Sequence, residues 1–289
     1  MKQRWLVAIV GLPLLLAVLL ACPSWATMLL VCSIAGIAAY ELVHTVGKDV
    51  HRVVYAFTIL CAVAQVLMIY SERKWYYANG LIPLGYEQKA PLDKIWLFPV
   101  VLVIALFVYA VKFYGTNDAL PFSTLSAAVV GGALFPTMYS CITLLRMQDD
   151  FGRIYVLAPF FIAFAGDSVS MYAGMLFGKR KMAPRVSPNK TWAGGIGGPI
   201  GSALGMLLLG LIGAKWLGYV PNYARLALYG AIANVFGQIG DLSMSMIKRE
   251  HGIKDYSHLF LTHGGMLDRF DSTLFIAPVV YCFVSLGYI

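Results

Sequence analysis

Nine runs of predominantly apolar residues, each 17 to 26 residues long, take up most of the chain: 5–22, 25–43, 53–70, 95–111, 124–145, 154–177, 192–217, 226–247 and 272–289. A bilayer core takes about 20 apolar residues as a helix. In lipid every backbone N–H and C=O must be paired within the protein, which leaves helices and closed barrels as spanning structures. Barrel strands alternate apolar and polar residues and give no such runs. The expected fold is therefore all-α, a polytopic integral membrane protein with about nine transmembrane helices. Composition agrees: 60% of residues are hydrophobic and 12% charged, against about 25% charged in soluble domains. A soluble globular enzyme, a disordered chain and a collagen-like fibre are excluded.

The first run resembles a signal peptide, with Lys2 and Arg4 ahead of it and Leu-Leu-Ala-Cys at 19–22. A second run follows within three residues, which favours a hairpin of two retained helices. Counting Lys and Arg in the connecting segments gives 14 on the side of the N-terminus and 8 on the other, an asymmetry that sets the N-terminus in the cytoplasm. The two most basic loops, 178–191 and 248–271, fall on that cytoplasmic side. A net charge of +8 suits loops facing anionic headgroups. Nucleic acid is not an expected partner, since no Lys/Arg block is interleaved with exposed aromatics. Cys22, Cys32, Cys61, Cys141 and Cys282 lie in or beside apolar runs without CxxC or CxxH spacing, and read as packing residues. No repeat or Gly/Ser-rich linker divides the chain. Polar groups inside spans are few over 1–150 and concentrated over 160–272. We therefore read 1–150 as scaffold helices and 151–289 as a catalytic region within one continuous membrane domain.

Carboxylates within membrane spans are costly and point to function. Three occur here: Glu41, Asp167 and Asp241. Glu41 lies near the cytoplasmic end of its span, where a capping role and a functional one are both open. Asp241, Ser245, Lys248 and Arg249 follow i, i+4, i+7, i+8, one helical face pointing toward the cytoplasm. Asp268 and Asp271, at i and i+3 with Arg269 between them, come just after the next loop. Carboxylates beside cations at one face describe a divalent-metal and polyphosphate site, because Mg²⁺ takes one or two carboxylates plus phosphate oxygens. Lys and Arg neutralise the remaining phosphate charge. An interfacial salt-bridge network is the alternative.

The loop 178–191 carries Lys179, Arg180, Lys181, Arg185 and then Ser187-Pro-Asn-Lys190-Thr191. Membrane topology alone accounts for such basic clusters. A phosphate clamp is the functional alternative, with Lys190 and Thr191 directly before a helix whose N-terminus attracts anions. The following Gly194-Gly-Ile-Gly-Gly198 is not a Walker loop, because its Lys precedes the glycines. Gly197, Gly201 and Gly205 at four-residue spacing fit close helix packing. His263-Gly264-Gly265 suggests backbone approaching a ligand, with the imidazole donating to phosphate.

Taken together, Ser245-Met-Ile-Lys248-Arg249, four residues, Lys254-Asp255, and His263-Gly-Gly-Met-Leu-Asp268-Arg269-Phe-Asp271 resemble the phosphatidate cytidylyltransferase family. Asp167-Ser168 with Tyr172, and Ser187-Pro-Asn-Lys190-Thr191-Trp192, resemble further blocks of it, and Tyr40-Glu41 an acidic position near its N-terminus. Two positions depart: Leu261 stands where the family has Pro or Gly, and Ala193 where it commonly has Glu. The second leaves one carboxylate fewer near the site.

The resemblance implies transfer of CMP from CTP to phosphatidic acid, giving CDP-diacylglycerol and pyrophosphate in phospholipid biosynthesis. It implies Mg²⁺ at Asp241, Asp268 and Asp271, supported by Asp167, with Lys248 as a further catalytic group. Ser187, Lys190, Thr191, Ser245, Arg249, Lys254, His263 and Arg269 are the substrate-binding residues it suggests. The setting is a bacterial-type cytoplasmic membrane, its phospholipids as surroundings and the active site facing the cytoplasm. Room is left for a second cation and for a homodimer. A CTP-dependent polyprenol kinase would use similar groups but release CDP, and a cation transporter would place paired carboxylates near mid-membrane in broken helices.

Overall fold

The computed structural model describes residues 11–47, 50–78, 94–148, 151–260 and 264–287. Its helices are α1 (Gly11–Ala21), α2 (Ser24–Val46), α3 (Arg52–Ala78), α4 (Leu97–Lys112) and α5 (Phe122–Arg146). A helical turn at Gly152–Tyr155 leads into α6 (Ala158–Phe177), followed by α7 (Trp192–Leu217), α8 (Tyr223–Glu250) and α9 (Met266–Ser285). Between α6 and α7 the chain forms an antiparallel hairpin, β1 (Lys181–Ala183) and β2 (Ser187–Thr191), pairing Lys181 with Thr191 and Ala183 with Ser187. The expectation of an all-α chain is thus met except at this hairpin. There Pro184 and Pro188 interrupt helical hydrogen bonding, and the polar segment is too short for another helix.

The chain is a helical membrane protein, but the count of about nine spans is corrected. Among the described residues five helices are long and apolar enough to cross a bilayer: α2, α3, α5, α6 with its leading turn, and α7. Helices α1 and α4 are shorter, and residues 5–10 of the first expected span lie outside the described residues. The other two fail through polarity. Helix α8 carries Asn234, Gln238 and Asp241 within its apolar stretch, and α9 carries Asp268, Arg269 and Asp271 in its first turns. The helices that bear the site residues are the ones diluted by them.

Packing divides the chain into two compact units, residues 1–144 with 255–269, and residues 145–254 with 270–289. In the first, Val43 of α2, Val54 and Cys61 of α3, Leu102 and Leu106 of α4, and Ala128 and Ala133 of α5 form an apolar core. Helix α5 widens to a π-turn at Val130–Leu134, just before Pro136. A proline cannot donate to the carbonyl four residues back, and a widened turn absorbs that break in the ladder.

In the second unit a row of small residues sets the approach of α6 to α7. A methyl group on Gly201 would lie 2.6 Å from the Ala165 carbonyl oxygen. One on Gly197 would lie 2.7 Å from the Ala173 methyl, and one on Gly205 2.7 Å from that of Ala165. The four-residue glycine spacing is therefore a packing seam, as expected. Ser202 Oγ adds a bond to the Ile162 carbonyl across it (2.7 Å).

Helix α8 joins α7 by a different device. Pro199 lies inside α7 and has no N–H, so the Gly195 carbonyl loses its helical donor. The Gln238 side-chain amide of α8 supplies the missing bond (3.0 Å) and also donates to Asn234 Oδ1 (2.7 Å). All five cysteines are free.

Candidate active site

Three carboxylates of the second unit come from three helices: Asp167 from α6, Asp241 from α8 and Asp271 from α9. Helices α8 and α9 approach closely at that level because Gly237 and Gly240 lack side chains. A methyl on Gly240 would lie 2.6 Å from the Phe275 ring and 2.8 Å from the Asp271 carbonyl oxygen. The charges of the three carboxylates act on one another, and those of Lys190 and Lys248 act on Asp167 and Asp271 respectively.

The contact that organises the cluster is Lys190 Nζ to Asp241 Oδ2, at 2.5 Å. Lys190 is the penultimate residue of β2, so the hairpin is what delivers it. Both side chains keep about a quarter of their surface accessible, at 24% and 29%. Ser245 Oγ, one turn along α8, donates to Asp241 Oδ1 (3.3 Å). Lys248 is buried on the same face. Asp271 Oδ1 accepts from the Ser272 N–H (2.7 Å). It stands just ahead of the last apolar run, and burial holds its carboxyl above the ordinary carboxylate range. The charges of Asp241 and Asp167 add to that rise, while the Ser272 N–H and the Lys248 ammonium oppose it.

Other expected site residues are engaged locally. Thr191 is the N-cap of α7, its buried hydroxyl accepting from the Gly194 N–H (3.2 Å). Arg249 is exposed and ties the tip of the hairpin to the end of α8, donating to the carbonyls of Val186 (3.3 Å) and Ile253 (2.9 Å). Ser187 is half-buried at the start of β2, and Lys254 is exposed beyond α8.

Asp268 belongs to the first unit. Its Oδ2 accepts from the N–H groups of Tyr256 and Gly265, each at 2.8 Å, and Gly264 between them adopts a positive φ of 79°. Arg269 beside it is exposed. His263, expected to donate to phosphate, lies outside the described residues. The two glycines that suggested close approach to a ligand have a nearer cause. Any side chain at Gly265 would collide with the carboxylate of Glu41.

Among the described residues, no three His, Cys, Asp or Glu side chains are grouped to hold a metal ion by themselves. The donor set nonetheless suits Mg²⁺, which takes one or two carboxylates and completes its shell with water and phosphate oxygens. Asp241 and Asp271 are hard oxygen donors with mutually unfavourable charge, which a divalent cation would relieve. Sequence reasoning missed the contact that joins α8 to α7, Gln238 with Asn234. The available signal was Pro199 inside an apolar run, which announces an orphaned carbonyl.

Over residues 2–286 the chain matches the model of the cytidylyltransferase family. The phosphatidate cytidylyltransferase of Bacillus subtilis is 28% identical over 286 residues, covering 99% of this chain and 98% of the relative. That of Haemophilus influenzae is 29% identical over 291 residues, 96% of each chain. The Rickettsia felis protein of the same name is 31% identical over 194 residues, 66% of this chain and 84% of the relative.

Proposed function

The chain belongs to the cytidylyltransferase family, and from that premise we propose how it works on a lipid substrate. It transfers the cytidylyl group of CTP to phosphatidate, giving CDP-diacylglycerol and pyrophosphate. The observation that carries this reading is the Lys190–Asp241 pair set among Asp167, Asp271 and Lys248, in a chain matched almost end to end by relatives of that name.

The chemistry asks little of a general base. An oxygen of the phosphatidate monoester is already nucleophilic at neutral pH. It forms a bond to the α-phosphorus of CTP while the bond from that phosphorus to the oxygen bridging the β-phosphate breaks, and pyrophosphate leaves. The barrier is the repulsion between two polyanions, which fixed positive charge lowers. Lys190 and Lys248 supply that charge, and Ser245 orients Asp241. Arg249 holds the hairpin that carries Lys190. Asp241 and Asp271 would hold Mg²⁺, which when bound supplies charge neutralisation at the phosphoryl oxygens. Asp268 is assigned to the reaction from the sequence, by its place in the Asp268-Arg-Phe-Asp271 run.

We place the site at the cytoplasmic face, on the support of the five Lys and Arg residues in the loop 178–191 between α6 and α7, two helices long enough to cross the bilayer. Phosphatidate then reaches it sideways from the inner leaflet. Keeping its tails in lipid avoids a cost of about 0.8 kcal/mol for each CH₂ exposed to water. Purified protein given phosphatidate and each of the four nucleoside triphosphates, with and without Mg²⁺, tests the reading. Turnover restricted to CTP with Mg²⁺ supports it; equal use of all four overturns the nucleotide assignment. Orientation is tested with single cysteines at positions 183 and 257 in a background lacking the native five. Labelling by an impermeant maleimide from outside intact cells would reverse it.

A further inference from the structure

Glu41, at 1% exposure, is the carboxylate most fully removed from solvent among the described residues, and the reaction described above does not use it. It lies near the end of α2, in the first unit. Both its oxygens are occupied. Oε1 accepts from Ser257 Oγ (2.6 Å) and from the Met266 N–H (2.9 Å), and Oε2 from the Leu267 N–H (2.8 Å). Met266 and Leu267 open α9, where backbone N–H groups have no intrahelical acceptor. The same short stretch holds Asp268, through the Gly265 and Tyr256 N–H groups on its Oδ2. One carboxylate thus fixes the chain at Ser257 and the helix at Met266 and Leu267, and the neighbours of these residues, Tyr256 and Gly265, hold Asp268.

A side chain that caps a helix normally belongs to the residue immediately before it. Here that position is glycine, and the acceptor comes from more than 200 residues away. Burying a carboxylate costs several kcal/mol before its hydrogen bonds are counted. Such a cost is understandable where the placement of the segment matters. We propose that Glu41 is a positioning residue for cytidylyl transfer, holding Ser257 and the backbone at Met266 and Leu267 so that Asp268 stands in its working orientation. The proposal rests on the reading that Asp268 serves that reaction.

The test uses the full chain in detergent, as wild type, Glu41→Gln and Ser257→Ala, with three measurements. Amide hydrogen exchange over 264–268 reports the hold on the segment. Steady-state kinetics with CTP and phosphatidate separate kcat from KM, and the unfolding midpoint reports the fold. The amide of Glu41→Gln would oppose a donor to the Leu267 N–H. Exchange there is expected to quicken about tenfold, the scale of one buried hydrogen bond, with kcat down about tenfold, both KM values within about twofold and the fold retained. Ser257→Ala removes a single bond and gives a smaller loss of kcat in the same direction. It decides the matter if Glu41→Gln does not fold. An unchanged kcat alongside faster exchange reduces Glu41 to a helix cap and overturns the proposal, as does a raised KM at constant kcat. If the wild type transfers no cytidylyl group, the functional reading has failed. The exchange data then still decide the hold: faster exchange in Glu41→Gln supports it, and unchanged exchange refutes it.

Discussion

The two units treat a carboxylate on a helix in opposite ways. In the first, Glu41 is sealed from solvent and bonded at both oxygens to donors that cannot leave, two of them backbone N–H groups. In the second, Asp241 keeps about a quarter of its surface accessible and faces a lysine on a hairpin. Its neighbours Asp167 and Asp271 add negative charge around it. A carboxylate saturated by fixed donors shapes the backbone. One paired with a side-chain cation that can rearrange, and crowded by like charge, can exchange partners with a substrate or a metal. The difference is one of partners and access, and also of surroundings, since α2 is long and apolar enough to cross a bilayer while α8 carries Asn234 and Gln238 beside Asp241.

Substitutions that break this contrast should be ranked by how directly they touch the exchangeable charges. Asp241→Asn and Asp268→Asn should each lower turnover by about a hundredfold or more, the scale of losing one electrostatic stabiliser, with membrane insertion and the unfolding midpoint preserved. Near-normal activity in either variant removes that residue from the site. Lys248→Ala should cost about tenfold in kcat/KM for CTP, as expected for a charge-assisted contact. Lys179→Ala, on the exposed start of the hairpin segment, should stay within about twofold. Equal, small effects would mark the α8 face as a salt-bridge network.

Gln238→Leu probes architecture in the second unit. It orphans the Gly195 carbonyl behind Pro199, and should cost about 1–3 kcal/mol in stability, read as a lower unfolding midpoint. An unchanged midpoint would mean that the α7–α8 contact does not depend on this amide. The smallest effect concerns Asp271. Its carboxyl is raised by burial and by Asp241, so the folded state binds a proton more readily than the unfolded chain. The stability this confers is complete below the ordinary carboxylate range and is lost as pH rises through the elevated value. Metal-free Asp271→Asn should therefore be more stable than wild type at neutral pH, and lose that advantage on acidification. A constant difference across the titration would show that Asp271 is not electrostatically crowded.

Sequence made the membrane class legible because hydropathy over long runs is insensitive to detail. The glycine seam of α6 and α7 was legible for a related reason: four-residue spacing puts small side chains on one helical face. Spans at α8 and α9 were overcounted because apolar runs were judged by length, while Asn234, Gln238 and Asp241 lower the hydropathy of one and three charged residues that of the other. The Lys190–Asp241 contact was beyond reach, because loop length does not specify a hairpin register that sets Lys190 against α8. For Glu41 the sequence leaves capping and function both open. Its partners Ser257, Met266 and Leu267 lie more than 200 residues away, where no periodicity connects them.

The central claim is that the cytidylyl group of CTP, rather than its terminal phosphate, reaches the lipid. Purified protein should be given phosphatidate and CTP labelled with phosphorus-32, at the α position in one reaction and the γ position in another, and the lipid and aqueous phases counted. Cytidylyl transfer puts the α label into the lipid and leaves the γ label in aqueous pyrophosphate. The γ label in the lipid, with CDP released, would contradict the account and identify a CTP-dependent lipid kinase.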